Sequence, residues 1–280
     1  MEKHTKDGFD NSPNEKINRL INQSKSWQPE TQILFDQIGI KPGWKCADIG
    51  CGPMGVLPSL GERVGHTGMV LGIDENPDYL AAAKQLMLFE NSTNPLLVMG
   101  NIYHPFFKEN VFDLCHSRFI LNEKGCGQEL LDIMITLTKP GGLVVSQESD
   151  WTTWKCYPQQ PAWNKIRDAM IRLFEINGGN INAGMRIYHV FRESGLVDIN
   201  IRSAIMAMPV GHPYRDGLIK YALVRKKEII GAEIVLEKEF DVSINKCERI
   251  VKDPEIIIFS YSLTQVWGTV PEKKAILEKE

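Results

Sequence analysis

The stretch CADIGCGPMG, residues 46–55, reads as the end of an apolar strand that turns on glycines into a helix. Gly50, Gly52 and Gly55 stand in G-x-G-x-x-G spacing, the pattern of a βα turn whose backbone approaches a nucleotide-like ligand closely. Two residues redirect that reading. Asp48 lies just before the first glycine, and Pro53 lies inside the loop. In a nicotinamide-binding turn, backbone N–H groups and the helix N-terminus receive a pyrophosphate. Asp48 would put negative charge beside that anion, and Pro53 removes a backbone donor. No Gly-Lys-Ser/Thr follows the glycines, which excludes a Walker-type phosphate loop. The loop favours a ligand without phosphate and with a cationic end.

Working outward, KCADIG continues into a second apolar strand, GMVLGID (68–74), after a helix from about residue 54 to 62. Asn76 is a good N-cap and Pro77 suits the first position of the next helix. PLLVMGN (95–101), VFDLCHS (111–117) and LVVSQES (143–149) read as further strands. QELLDIMITLTKPGG is a helix stopped by Lys139-Pro140-Gly141-Gly142. Upstream, Ile33, Leu34, Ile38 and Ile40 mark an amphipathic helix within the first forty residues. Strands alternating with helices predict an α/β fold, a Rossmann-like doubly wound, mostly parallel sheet with helices on both faces. After Asp150 the rhythm changes. Helices over 161–178 and 181–196, a strand over 197–203, a helical stretch from about 214 to 250 and a final strand over 255–268 follow. The extra helices read as lid insertions over the carboxyl edge of the sheet, where ligands bind in such folds. The expected division is a helical cap (1–40), a ligand-binding core (41–151), a helical insertion with a core helix (152–195), and C-terminal core strands with a second helical insertion (196–280).

The chain has 280 residues, 43% hydrophobic and 24% charged, with a formal net charge of -3. That composition belongs to a soluble globular protein and argues against a nucleic-acid partner, which usually demands a basic face. No apolar run reaches the roughly 18 residues of a membrane span. The N-terminal MEKHTKDGFDNSPNEK lacks the apolar core of a signal peptide, so a cytoplasmic location is expected. The six cysteines, Cys46, Cys51, Cys115, Cys126, Cys156 and Cys247, form no C-x-x-C pair. Reduced structural thiols are expected, and no metal.

S-adenosylmethionine has the ligand character that Asp48 and Pro53 favour: a sulfonium, an ammonium, a carboxylate and an adenosine with a free ribose diol. Asp74, at the end of the second strand, stands where an acid accepts hydrogen bonds from such a diol. ADIGCGPMG, LGIDENP, MGNIYHPFFKENVFDLCHSRFILN and TKPGGLVVSQESDW together resemble the ordered motifs of the class I S-adenosylmethionine-dependent methyltransferases, from about Lys41 to Trp151. The nearest likeness is to the small-molecule group of ubiquinone/menaquinone type. Asp48 supplies charge complementarity toward the cationic methionine end. The resemblance implies that Gly50 and Gly52 approach the methionine moiety and that Asp74 holds the ribose, with Glu75 and Asn76 beside the adenosine. It implies that Asn101 and Ile102 flank the adenine and that Ser117 and Arg118 close the methionine end. Many relatives carry Asp where Asn101 stands; a carboxamide oxygen can still accept from the adenine amino group.

Methyl transfer from a sulfonium is an in-line displacement that positioning and desolvation can drive. A base is needed only if the acceptor must lose a proton. The candidates are His116, Glu148 and Asp150, with His116 and Asp150 favoured; of Glu148 and Asp150, one is expected to face the site and the other to face away. Trp151, Trp154 and Tyr157 are expected to wall the acceptor pocket, and Trp27 and Gln28 to cap the methionine end. The reading is a methyltransferase acting on a small-molecule acceptor, with the oligomeric state open, a homodimer included. Its alternatives are a cofactor-binding protein or enzyme that transfers no methyl, a macromolecule methyltransferase and, more distantly, a nicotinamide oxidoreductase.

Overall fold

The structure is a computed structural model that describes residues 13–89, 95–103, 107–121, 127–180 and 183–272. Cys126 and the signal-peptide reading of residues 1–12 lie outside the described residues. The chain opens with a long helix, α1 (Pro13–Ile38). Strand β1 (Lys45–Ile49) and helix α2 (Leu57–Val64) flank the glycine loop. Then come β2 (Met69–Asp74), α3 (Pro77–Phe89), β3 (Leu96–Met99), β4 (Phe112–Arg118), α4 (Gly127–Leu137) and β5 (Thr138–Asp150). Lys139–Gly142 end the helix, as the sequence predicts, but fall within the start of β5 rather than in a loop. There the register between β4 and β5 shifts between Phe112 and Leu114.

Beyond a 3-10 turn at Trp151–Thr153 lie β6 (Lys155–Tyr157), α5 (Pro161–Ile176), α6 (Ala183–Glu193), β7 (Val197–Ala204) and β8 (Ala207–Met208). Helices α7 (Gly217–Val224), α8 (Lys226–Gly231) and α9 (Glu237–Ile250) precede β9 (Ile257–Phe259) and β10 (Ser262–Thr269). The main sheet runs β3-β2-β1-β4-β5-β10-β7, with β1 to β5 parallel and β10 antiparallel to both neighbours. The expected single strand over 255–268 is two strands in two sheets. Ser260 and Tyr261 break it, and β9 joins β6 and β8 in a small antiparallel sheet.

Each sheet face carries its own core. Ile49, Leu71, Cys115 and Val144 pack against α4 and α6, while Cys46, Val70, Leu114 and Val145 pack against α1 and α2. Neighbouring residues of one strand thus serve opposite faces, as strand alternation requires. Cys115 and Cys46 show it directly: both are fully buried free thiols, and burial pushes Cys115 up to about 12. A third core, around Trp154, Trp163, Phe240 and Tyr261, joins the helices after β5 to the small sheet. No helix among the described residues is long and apolar enough to cross a membrane.

Arg215, 3% exposed, clamps this third core through backbone carbonyls alone. Its guanidinium donates to Val251 O at 2.8 Å, Asp253 O at 3.0 Å, Ile256 O at 2.5 Å and Ile250 O at 3.3 Å, and to Met208 O. These carbonyls belong to the end of α9, the turn into β9, and β8. Arg215→Met would strand several buried acceptors, each costing on the order of 1–3 kcal/mol, partly relieved by relaxation. The expected loss is about 3 kcal/mol of unfolding free energy in urea titration, against no more than about 0.5 kcal/mol for a surface change such as Lys227→Met.

Candidate functional site

The glycine loop is held by two aspartates. Asp48, 2% exposed, ends β1 and accepts from Val56 N, just ahead of α2, at 3.1 Å. Its other oxygen meets His116 Nδ1 at 2.7 Å. Asp74 ends β2 and accepts from Gly52 N at 2.8 Å and Asn76 N at 2.9 Å. Burial raises the Asp74 carboxyl above the usual aspartate range, and the two backbone donors oppose that rise. The loop can follow this path only with glycine at its tightest point. Gly55 has φ +54°, and a side chain there would collide with the Asp48 carboxylate and the Cys51 carbonyl. Gly52, by contrast, faces open space.

That space is a cavity of about 400 Å³ at the carboxyl edge of the sheet. At one end it is lined by Asp74, Glu75, Asn76, Asn101 and Ile102, with Tyr79 and Tyr103. Asn76 caps α3, its Oδ1 accepting from Asp78 N at 2.9 Å. The Asn101 carboxamide oxygen accepts from Tyr103 N at 2.9 Å, so a local turn fixes its orientation. Gly50, Gly52, Asp48 and Arg118 line the middle. Arg118 donates to Gly55 O at 3.2 Å, to Thr31 Oγ1 at 3.3 Å and to Ser24 Oγ. Burial lowers its pKa, the nearby Asp48 carboxylate opposes that shift, and its direct partners are neutral oxygens. The other end is walled by Arg19, Phe119, Ile120, Trp151, Phe174 and Tyr221.

Several expected residues do not reach the cavity. His116 is fully buried, and its second nitrogen, Nε2, takes Gln147 Nε2 at 2.8 Å. With Asp48 accepting at one nitrogen and an amide donating at the other, the bonding assigns a neutral ring protonated on Nδ1. Both nitrogens are occupied, which removes His116 as a base in contact with an acceptor. Asp150 caps the 3-10 turn, accepting from Thr152 N at 3.0 Å and Thr152 Oγ1 at 2.7 Å. Glu148 and Asp150 are two residues apart on one strand and so share a face; the expectation that they point oppositely is corrected. Instead Ser149, between them, lines the cavity. Glu148 accepts from Ile120 N and Leu121 N, each at 3.2 Å, and steadies the turn after β4. Ser117 is buried against Ser146 at 3.2 Å, away from the cavity. Trp154 lies in the third core, and Tyr157 is 72% exposed, so only Trp151 of the three expected aromatics walls the cavity. Trp27 is fully buried, donating to Tyr261 Oη at 2.9 Å, and neither it nor Gln28 lines the cavity.

Helix α1 nevertheless contributes, through Arg19, Leu20, Gln23 and Ser24. The available signal was polar residues within a buried stripe: Ser24 and Thr31 are nearly inaccessible, among Trp27, Leu34 and Phe35. Phe119, Phe174 and Tyr221 also line the cavity without a motif to announce them. Of these, Phe119 has the most unusual backbone. It follows β4 with φ +62°, a conformation a bulky residue rarely adopts, and the Glu148 carboxylate holds the residues beside it.

A methyltransferase-domain family model matches residues 40–195. The demethylmenaquinone methyltransferase of Shouchella clausii is 30% identical over 139 residues, half of this chain and 58% of that one. The chain thus spans little more than half the length of that relative. The demethylmenaquinone methyltransferase of Staphylococcus saprophyticus is 26% identical over 71% of this chain and 90% of its own. Among solved structures, the YcgJ protein of Bacillus subtilis superposes with a TM-score of 0.55 at 13% identity, over 87% of this chain and 99% of that one. Phosphoethanolamine N-methyltransferase 2 of Haemonchus contortus, in complex with S-adenosyl-L-methionine, superposes with a TM-score of 0.52 at 16% identity, over 88% and 53%. At these identities the likeness is one of fold.

Gly55→Ala is expected to cost about 2–3 kcal/mol, from left-handed strain plus the collision with Asp48. Gly178→Ala, also at positive φ but with open space around it, should cost about 1 kcal/mol. Denaturant unfolding of the two variants measures the difference, and equal costs would refute the collision.

Proposed function

The chain belongs to the methyltransferase-domain family, and from that premise we propose that it transfers a methyl group from S-adenosylmethionine to a small molecule. The observation that carries this reading is the junction of the two aspartates on one glycine loop. Asp74 uses one lone pair on each oxygen for Gly52 N and Asn76 N, and further lone pairs remain for a ribose diol. The loop N–H groups of Cys51, Gly52 and Val56 go to Ile73 O, Asp74 and Asp48, which counts against a pyrophosphate cradle there. The residues fit the adenosyl group: Asp74 and Glu75 for the ribose, Asn101, Ile102 and Tyr103 for the adenine, and Arg118 for the methionine carboxylate. Asp48 shapes the loop through Val56 N and His116 and places its carboxylate in the cavity lining at the methionine end.

When bound, S-adenosylmethionine supplies an activated methyl. The chain's own residues have the task of aligning an acceptor with it and excluding water. The walls opposite the adenosine end are largely aromatic, with Arg19 among the rings, which supports a small organic acceptor. Demethylmenaquinone, named for two relatives, is of that class. A macromolecular acceptor lacks comparable support, with a net charge of -3.

Calorimetry is expected to detect binding of S-adenosylhomocysteine, and Asp74→Ala to weaken it by at least tenfold, with the fold retained by circular dichroism. No binding to the wild-type protein would sink the reading. His116→Gln is expected to lose about 1–3 kcal/mol of stability while leaving the shape of the pH–rate profile unchanged. Loss of an ionisation from that profile would restore His116 as a base.

A further inference from the structure

The end of the cavity away from the adenosine side carries a cation that the proposed cofactor does not use. Arg19, on the first turns of α1, lies with its guanidinium 4.2 Å from the centre of the Tyr221 ring. Its Nε is buried and has no hydrogen-bond partner among the described residues. A guanidinium is strongly hydrated at its N–H edge, and burying one donor unmatched is costly unless something completes it. Around it stand three rings in mutual contact. Trp151 lies 5.5 Å from Phe174 and 5.4 Å from Tyr221, and Phe174 lies 6.1 Å from Tyr221. These rings come from three separate elements, the 3-10 turn, α5 and α7, and all line the same cavity as Arg19.

The charges along the cavity sort by position. Asp48 lies beside the glycine loop, bonded to Val56 N and His116 and facing Arg118, and Asp74 and Glu75 lie at the adenosine end. Arg118 sits against Gly55 O, beside the glycine loop, where the single carboxylate of the cofactor is proposed to lie. Arg19 is left over, positive and among aromatic rings. A cationic acceptor would be repelled there. An uncharged apolar acceptor would leave the Arg19 Nε–H without an acceptor atom. A flat molecule with a negatively charged oxygen satisfies both features, lying against the rings and accepting from the guanidinium.

We propose that Arg19 with the Trp151–Phe174–Tyr221 wall forms the acceptor subsite, and that it selects a planar, unsaturated ring bearing an anionic oxygen, a carboxylate or an acidic enol or phenol. The proposal rests on the methyltransferase reading above, and the test separates the two. Wild-type protein is first loaded with S-adenosylhomocysteine, and failure at that stage counts against the methyltransferase reading alone. The loaded protein is then titrated calorimetrically with 2-naphthoate, with its uncharged counterpart 2-naphthamide, and with octanoate, which has the charge without the ring. Naphthoate is expected to bind at least tenfold more tightly than either. Arg19→Gln should remove that preference over the amide, Arg19→Lys should restore part of it, and both should bind S-adenosylhomocysteine within about twofold of wild type. Trp151→Leu should weaken naphthoate and leave octanoate unchanged. Equal binding of naphthoate and naphthamide, no binding of naphthoate to the loaded protein, or full naphthoate affinity in Arg19→Gln would each overturn the proposal.

Discussion

The carboxylate of Asp48 is where the architecture and the site meet. One oxygen receives the backbone N–H that starts α2, and the other receives His116 from the neighbouring strand. Asp48 and His116 are partners in the β1–β4 register, so their side chains lie side by side on one face. The polar pairing does not stop there. His116 is bonded to Gln147 of β5, Gln147 accepts from its register partner Gln265 of β10 at 2.6 Å, and Gln265 accepts from its own register partner Arg202 of β7. Arg202 is paired with Glu30 of α1 at 2.6 Å. A ladder of polar side chains thus crosses five strands beneath α1, from the cofactor loop to the far edge of the sheet. Buried polar groups in such a row are costly unless every member is matched. Their matching fixes the register of five strands and the seat of α1 together.

That ladder also explains why His116 is where it is. A histidine at a strand's carboxyl end invites a catalytic reading, because its ring titrates near neutrality. Here its neighbours in the row consume both nitrogens, and Phe35 covers the ring edge at 5.8 Å between centroids. The same logic applies to Glu148 and Asp150. Both are acids near the site, and both serve backbone N–H groups of turns, after β4 and after β5 respectively. These acids shape the cavity walls, so in the proposed reaction catalysis rests on alignment and desolvation.

The glycine-loop end of the cavity was legible in the sequence because it is local. Gly50 to Asp74 are close in sequence, and turn chemistry with one acid at each strand end specifies them with little help from elsewhere. The alternation of strands and helices gave the parallel half of the sheet for the same reason. The aromatic end was not legible, because it is assembled from Arg19, Phe119, Trp151, Phe174 and Tyr221, which share no spacing. Aromatic residues after residue 150 could be counted but not aimed. Trp154 turns into the third core and Tyr157 turns out to solvent. The break at Ser260–Tyr261 was hidden for a related reason: β9 and β10 are both apolar, and only the partner strands tell them apart.

Tyr261 is the residue through which the two halves are joined. It directly precedes β10, so its backbone is set by the antiparallel strand that pairs with β5. Its hydroxyl accepts from Gln23 Nε2 and Trp27 Nε1, each at 2.9 Å. Both lone pairs are then used, and the phenolic proton is directed at Tyr214 Oη, 3.3 Å away. Burial raises the pKa of both phenols, which keeps the pair neutral. The ring stacks parallel to Trp151 at 5.9 Å and meets Trp154 edge-on at 5.0 Å. One side chain therefore ties α1, the 3-10 turn and the segment leading into α7 to the sheet. Those are three of the elements that carry Arg19, Trp151 and Tyr221. The aromatic wall lacks a sequence motif because its geometry is inherited from this shared anchor rather than from spacing along the chain.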